Sequence, residues 1–179
     1  MALVGVYFSL GSNLGDREGN LSEALRRMDE AFGRHYSAVS SFMETEPMGF
    51  TGEPFLNAAV MYRLPLPPVP EPVEGPVVRQ AHQPDENHAL WILDRVKEIE
   101  REMGRTDPPE YDEAGRRIYH SRIIDIDILF YGREVIDNPR LTIPHKGIAD
   151  RPFVMVPLLE IAKPSLKRAF PEYFEEKDE

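Results

Sequence analysis

Ser121-Arg-Ile-Ile-Asp125-Ile-Asp127-Ile-Leu-Phe-Tyr131 is the stretch on which the fold of this 179-residue chain turns. Its isoleucines, aromatic residues and alternation mark it as the plainest strand in the sequence. Successive side chains on a strand face opposite ways, so Ile124, Ile126 and Ile128 share one face, towards a core. Asp125 and Asp127 share the other, with Arg122 just before them. Burial of the isoleucine face sets the register and so holds two poor strand formers side by side. Two carboxylates this close repel unless a cation sits between them. Hard oxygen donors suit Mg²⁺, which keeps several waters and completes its shell with phosphate oxygens. The plain alternative is a solvent-facing strand with two ordinary acids. A glycoside-hydrolysing pair fits less well, because strand neighbours do not oppose each other across a sugar.

Outward from this strand, apolar periodicity alternates irregularly between strand and helix. Val4 to Leu10 reads as a first strand, closed by the turn Gly11-Ser-Asn-Leu-Gly15. Asp16 can cap a helix whose stripe is Leu21, Leu25, Met28 and Phe32, with Gly33 as its stop. Tyr36 to Met43 reads as a second strand, Thr45 to Pro54 as a loop, and Phe55 to Leu64 as a third, largely buried strand. The segment at about 65–86 is dense in proline and reads as an exposed insertion of polyproline character. Asn87 can cap a second helix with the stripe Ala89, Ile92, Leu93, Val96, Ile99 and Met103, ended by Gly104. Arg105 to His120 reads as a polar loop. Glu134 to Ile136 and Leu141 to Pro144 read as short extended pieces, and Phe153 to Ile161 as a short helix or turn-rich segment. The tail 163–179 is charged and is expected to contribute little. Three strands before the second long helix favour a layered α+β sandwich over a doubly wound sheet. One domain over 1–162 is expected.

Composition narrows the function classes. Cysteine is absent, which excludes disulfides and Cys-ligated zinc and fits a reducing, cytoplasmic setting. No run is long and apolar enough to span a membrane, and Met1 to Leu10 lacks the marks of a signal peptide. The net charge of −10 argues against a nucleic-acid-coating protein. Arginines and lysines nevertheless crowd between Arg95 and Arg151, which is either a solvated face or the locality of a small anionic ligand. The sequence contains neither G-x-x-x-x-G-K-[ST] nor G-x-G-x-x-G.

Four motifs in order then carry a resemblance: Gly11-Ser-Asn-Leu-Gly-Asp16, Phe55-Leu-Asn-Ala-Ala-Val60, Arg122-x-x-Asp125-Ile-Asp127-Ile-Leu-Phe130, and Leu141-Thr-Ile-Pro-His145 with Arg151-Pro-Phe153. Together they resemble the 6-hydroxymethyl-7,8-dihydropterin pyrophosphokinases of folate synthesis, over nearly all of the chain outside the insertion and tail. The resemblance implies a ferredoxin-like α+β sandwich, an antiparallel sheet with helices packed on it. It implies Mg²⁺-dependent transfer of pyrophosphate from ATP to the pterin, releasing AMP, by a monomer with small-molecule partners only. Two Mg²⁺ ions would be held by Asp125 and Asp127, clamping attacking and leaving oxygens.

By the same resemblance Arg122, Arg151 and His145 contact phosphates, Glu100 and Arg105 lie near the nucleotide, and Arg116 and Arg117 close over the site. Phe55 and Phe153 form a stacking slot for the pterin, with Asn57 on its hydrogen-bonding edge and Thr45 and Met48 in the adjoining loop. The sequence departs from the family at Glu46, where proline is usual. It departs again at Ile118 and His120, and in a lengthened 105–122 loop. A catalytically impaired nucleotide- or pterin-binding homologue and an ordinary γ-phosphate kinase are the rival functions.

Overall fold

The computed structural model describes residues 2–47, 51–67, 84–104, 110–118 and 121–175. Strand β1 (Leu3–Ser12) is central, and nearly all of its side chains are buried. It feeds helix α1 (Arg17–Phe32), where the Asp16 carboxylate accepts the Gly19 N–H at 3.0 Å. Gly33 ends α1 in the left-handed region at φ 66°, a conformation cheap only for glycine. Strands β2 (Ala38–Val39), β3 (Met43–Thr45) and β4 (Phe55–Pro65) follow, then helix α2 (Pro84–Glu102). A small hairpin, β5 (Glu110–Tyr111) with β6 (Arg117–Ile118), precedes β7 (Asp125–Tyr131). Strands β8 (Ile136–Asn138) and β9 (Leu141–Ile143) pair with each other, and helices α3 (Pro152–Ile161) and α4 (Pro164–Ala169) close the described chain with a 3₁₀ turn at Pro171–Tyr173.

The main sheet runs β2/β3–β4–β1–β7, antiparallel at every pairing. With α1 after β1 and α2 after β4, this is the split βαβ arrangement of the ferredoxin-like α+β sandwich, as expected. Helices α1 and α2 lay Leu21, Ala24, Leu25, Met28, Ala89, Ile92, Val96 and Ile99 on one sheet face. There they meet Val6, Phe8, Leu10, Ile124, Ile126 and Ile128. The opposite face carries Tyr7, Met61, Leu129 and Phe130 beneath Val154, Leu158 and Ile161 of α3.

A bulge in β7 shifts the alternation of its faces. Tyr7 pairs with Phe130 and Phe8 with Ile128, so Leu129 is the extra residue. Leu129 and Phe130 consequently both face the second layer, and Tyr131 returns to the first.

Five expectations are corrected. The second strand is split, because the Ser40 hydroxyl accepts the Ala59 N–H at 2.8 Å and Glu160 captures the Ser41 N–H at 2.8 Å. The strand at Ser121 begins only at Asp125; Arg122 is held instead by Asn13. Helix α2 begins at Pro84, before Asn87, so the insertion ends earlier than 86. Proline suits a helix start, since its missing N–H has no partner to lose there. The 105–120 stretch is not all loop, as β5 and β6 show. Finally, the segment from Lys163 does contribute. Leu166 and Phe170 are 4% and 5% exposed, and Phe170 and Tyr173 pack on Phe130 with ring centroids 5.2 and 5.7 Å away. Its charges had masked a short amphipathic helix.

Candidate active site

Three neighbouring strands build the floor. Asn57 on β4, Gly11 on β1 and Asp125 on β7 stand in one row, and Ala59, Ser9 and Asp127 in the next. Partners directly opposite in antiparallel strands share a face. The Asn57 carboxamide and both aspartates therefore rise from the same side of the sheet. Gly11 keeps the middle of that row open. A Cβ there would lie 2.9 Å from Asn57 Oδ1 and 3.5 Å from the Phe55 ring. Asn57 is buried and donates to Thr45 Oγ1 at 2.6 Å, which joins the β3 residue to the row.

Basic side chains lie beside the aspartates. Arg122 Nη1 lies 3.3 Å from Asp125 Oδ1, and His145 Nε2 lies 4.0 Å from Asp127 Oδ1. The Gly147 N–H donates to His145 Nδ1 at 3.0 Å, so the neutral ring carries its proton on Nε2, facing Asp127. Desolvation and the Asp125 charge push the Asp127 carboxyl above its ordinary value, against the opposing pull of His145, Lys97 and Arg151. The Asp127 side chain is still 33% exposed, so the acid is reachable. Two like charges on one face, one of them disfavoured in its ionised form, make a donor set that a hard divalent cation would satisfy. The donor chemistry of Asp125 and Asp127 thus fits a hard divalent cation such as Mg²⁺.

The remaining expected residues are distributed as follows. Arg151, at the N-terminus of α3, has its guanidinium 5.9 Å from the Phe153 ring and lies against Gly147. Phe55 and Phe153 are each half-buried. Glu100 is 2% exposed, and its Oε1 accepts the Ile126 N–H at 2.8 Å. Arg116 does not join the group around the aspartates. Its Nε donates to Asp112 Oδ2 at 2.8 Å inside the β5–β6 hairpin, and its side chain is 80% exposed. Arg117 lies on β6. Met48 and Arg105 lie outside the described residues.

Sequence reasoning missed several contributors. In sequence Gly11 reads as part of a turn, yet it lies within β1. A glycine next to a strand pattern can mark a close approach, and that signal was present. Asn13 is 1% exposed and ties three segments together: it accepts from Arg122 N–H and donates to Glu53 O and Ser121 Oγ. Arg17 Nη1 donates to Pro54 O at 2.8 Å, fixing the loop before Phe55. Lys97 enters from α2. No local pattern could have revealed these long-range partners.

The comparisons with known proteins agree with the geometry. The family model described as 7,8-dihydro-6-hydroxymethylpterin-pyrophosphokinase matches residues 7–71 and 77–163. A 2-amino-4-hydroxy-6-hydroxymethyldihydropteridine pyrophosphokinase of Porphyromonas gingivalis is 39% identical over 159 residues, 88% of this chain and 90% of that protein. One from Bacillus subtilis is 32% identical over 164 residues, 91% of this chain and 81% of that protein. A folate synthesis bifunctional protein of Arabidopsis thaliana is 39% identical over 157 residues, 87% of this chain. The chain spans 26% of that plant protein's length. The fold, the site and these relatives define an enzyme of the diphosphotransferase class. The chain belongs to the 7,8-dihydro-6-hydroxymethylpterin-pyrophosphokinase family. Among the described residues no helix is long and apolar enough to cross a membrane.

Proposed function

We propose that this enzyme transfers a pyrophosphoryl group from ATP to 6-hydroxymethyl-7,8-dihydropterin, giving AMP and the pterin diphosphate, in a Mg²⁺-dependent reaction. The observation that carries the proposal is the row Asn57–Gly11–Asp125, with Asp127 beside it. It sets a hydrogen-bonding carboxamide and a carboxylate pair on one open face, one strand apart on either side of a glycine.

Asp125 and Asp127 would hold two Mg²⁺ ions, which supply charge neutralisation on the triphosphate and polarise the β-phosphorus. Arg122 and Arg151 present planar guanidinium forks suited to phosphate oxygens, and His145 offers its Nε2 proton on the same side. Arg105 and Arg117 complete the phosphate contacts, Arg116 joins them by exchanging its bond to Asp112 for phosphate oxygens, and Glu100, bonded to the Ile126 N–H, lies near the nucleotide without touching it. The pterin hydroxymethyl oxygen attacks the β-phosphorus in line, its proton leaves to solvent, and the β–α bridging oxygen departs with AMP. Phe55 and Phe153 stack the flat ring, and Asn57, Thr45 and Met48 meet its polar edge. Stacking of this kind contributes about 0.5–1.5 kcal/mol per aromatic pair beyond area burial. Residues 1–162 form the single catalytic unit.

The test is product analysis. ATP plus the hydroxymethyl-dihydropterin should yield AMP only when Mg²⁺ is present. ADP as the product, or no nucleotide cleavage, would refute the proposal.

A further inference from the structure

We infer that Glu100 is a positioning residue for the carboxylate pair. It fixes the Asp125–Ile126 peptide, one of the two between Asp125 and Asp127, and so sets the angle at which both acids meet a divalent cation. The role of that cation in turnover rests on the proposed function above.

Strand β7 is the outer strand of the main sheet. Among the described residues the N–H groups on its outer side have no strand of that sheet to pair with and need another acceptor. The Ile126 N–H belongs to this set, and it stands midway between the two aspartates. Glu100 Oε1 accepts it at 2.8 Å. A carboxylate that is 2% exposed gains nothing from packing and costs desolvation, so its bonds must compensate. One turn earlier on α2, Lys97 Nζ lies 3.2 Å from Glu100 Oε2 and meets that charge. Bonds to an ionised acceptor are stronger than neutral ones.

The helix carrying both residues is itself anchored. Val96 and Ile99 of α2 are buried in the same layer as Ile124, Ile126 and Ile128. The contact from Glu100 to Ile126 therefore runs from one rigid element to another. Rotation of the Ile126 peptide would swing Asp125 and Asp127 apart. The Glu100 carboxylate opposes that rotation directly, at the first of the two peptides that link the two aspartates.

The experiment compares wild type with Glu100→Gln and Glu100→Ala. Gln keeps a carbonyl acceptor for the Ile126 N–H and loses the charge, whereas Ala loses both. The first readout is NMR-detected hydrogen exchange of the Ile126 amide in metal-free protein. It should stay protected in wild type and Glu100→Gln and accelerate by at least about tenfold in Glu100→Ala. The second is the Mg²⁺ dependence of turnover and of calorimetric Mg²⁺ binding with an inert ATP analogue present. Loss of a partner that orients a metal ligand typically weakens metal affinity by about 10–100-fold, so that shift is expected for Glu100→Ala, with Glu100→Gln within about threefold of wild type.

The third readout is binding of the ATP analogue without Mg²⁺, which should be unchanged in both variants. Equal losses of Mg²⁺-free nucleotide binding in both would overturn the inference in favour of direct nucleotide contact. Unchanged Mg²⁺ dependence and unchanged Ile126 exchange in Glu100→Ala would overturn it too. If Glu100→Ala does not fold, Glu100→Gln decides: a tenfold loss of Mg²⁺ affinity with the acceptor retained refutes positioning. A wild type that lacks Mg²⁺-dependent turnover defeats the proposed function instead, and Ile126 exchange with Mg²⁺ calorimetry still decides the role of Glu100.

Discussion

Asn13 grips the backbone of Arg122 at two points: its Oδ1 accepts the Arg122 N–H at 2.6 Å, and its own N–H donates to the Arg122 carbonyl at 3.0 Å. The residues are 109 positions apart in the chain. Asn13 is also buried, so these bonds form away from competing water. The clamp stops the strand short of Arg122 and aims that side chain back at Asp125.

Asn13→Ala should therefore act on both stability and chemistry. It leaves the part-buried Arg122 N–H without its side-chain acceptor, at a cost of about 1–3 kcal/mol. Turnover should fall more than ATP binding, because Arg122 loses its aim and keeps its charge. Denaturant melts and steady-state kinetics check this. A stability change under about 0.5 kcal/mol with unaltered turnover would show that the clamp is incidental.

Asp127→Asn should lower turnover by at least about 10²–10³-fold, as loss of a preorganised electrostatic group does. The metal-free protein should at the same time become more stable at neutral pH. The carboxyl of Asp127 is raised above its ordinary 3.8, so the unfolded chain loses this proton first as pH rises. Ionisation then favours the unfolded state, and stability is lost between the ordinary and the raised value. Asparagine removes that penalty. Its Tm advantage should be present at pH 7 and vanish below about pH 3.8, where both states hold the proton. A lower Tm for the variant at pH 7 would contradict the electrostatic account.

Gly11→Ala should injure the pterin side selectively. The new methyl group would stand 2.9 Å from Asn57 Oδ1, too close without a shift of that carboxamide. Overpacking of this kind costs about 1–3 kcal/mol. The KM for the pterin should rise more than that for ATP. Equal changes in the two would mean that Gly11 does not govern the Asn57 edge.

Phe170→Ala tests the packing of the C-terminal segment on the sheet. A buried phenylalanine packed against Phe130 should cost about 3–5 kcal/mol when truncated. Thermal melts measure it. A loss under about 1 kcal/mol would return this segment to the role of a dispensable tail.

Much of the scaffold was legible because its causes are local. Asp16 and Gly33 announced the limits of α1 through capping chemistry that needs only a few neighbouring residues. The isoleucine alternation around Asp125 and Asp127 placed both acids on one face, which the burial of Ile124, Ile126 and Ile128 bears out. What failed was non-local. Ser40 breaks its strand by bonding to β4, and Glu160 reaches in from α3, 119 residues away. The bond from Arg116 to Asp112 inside the β5–β6 hairpin was likewise out of reach of the local pattern. The hydrophobic half of the C-terminal segment hid among charges until Phe130 gave it a surface to bury.

From the sequence alone came the layered α+β class, the paired aspartates and the order of motifs, because period, capping and turn chemistry act over one or two turns of chain. Only the tertiary structure decided what stands opposite what. It set Gly11 between Asn57 and Asp125, brought Asn13 to Arg122 and seated Glu100 on the outer edge of β7. These are pairings between segments distant in the chain. Strand register and the need to satisfy every buried N–H select them together, and neither constraint exists until the sheet has formed.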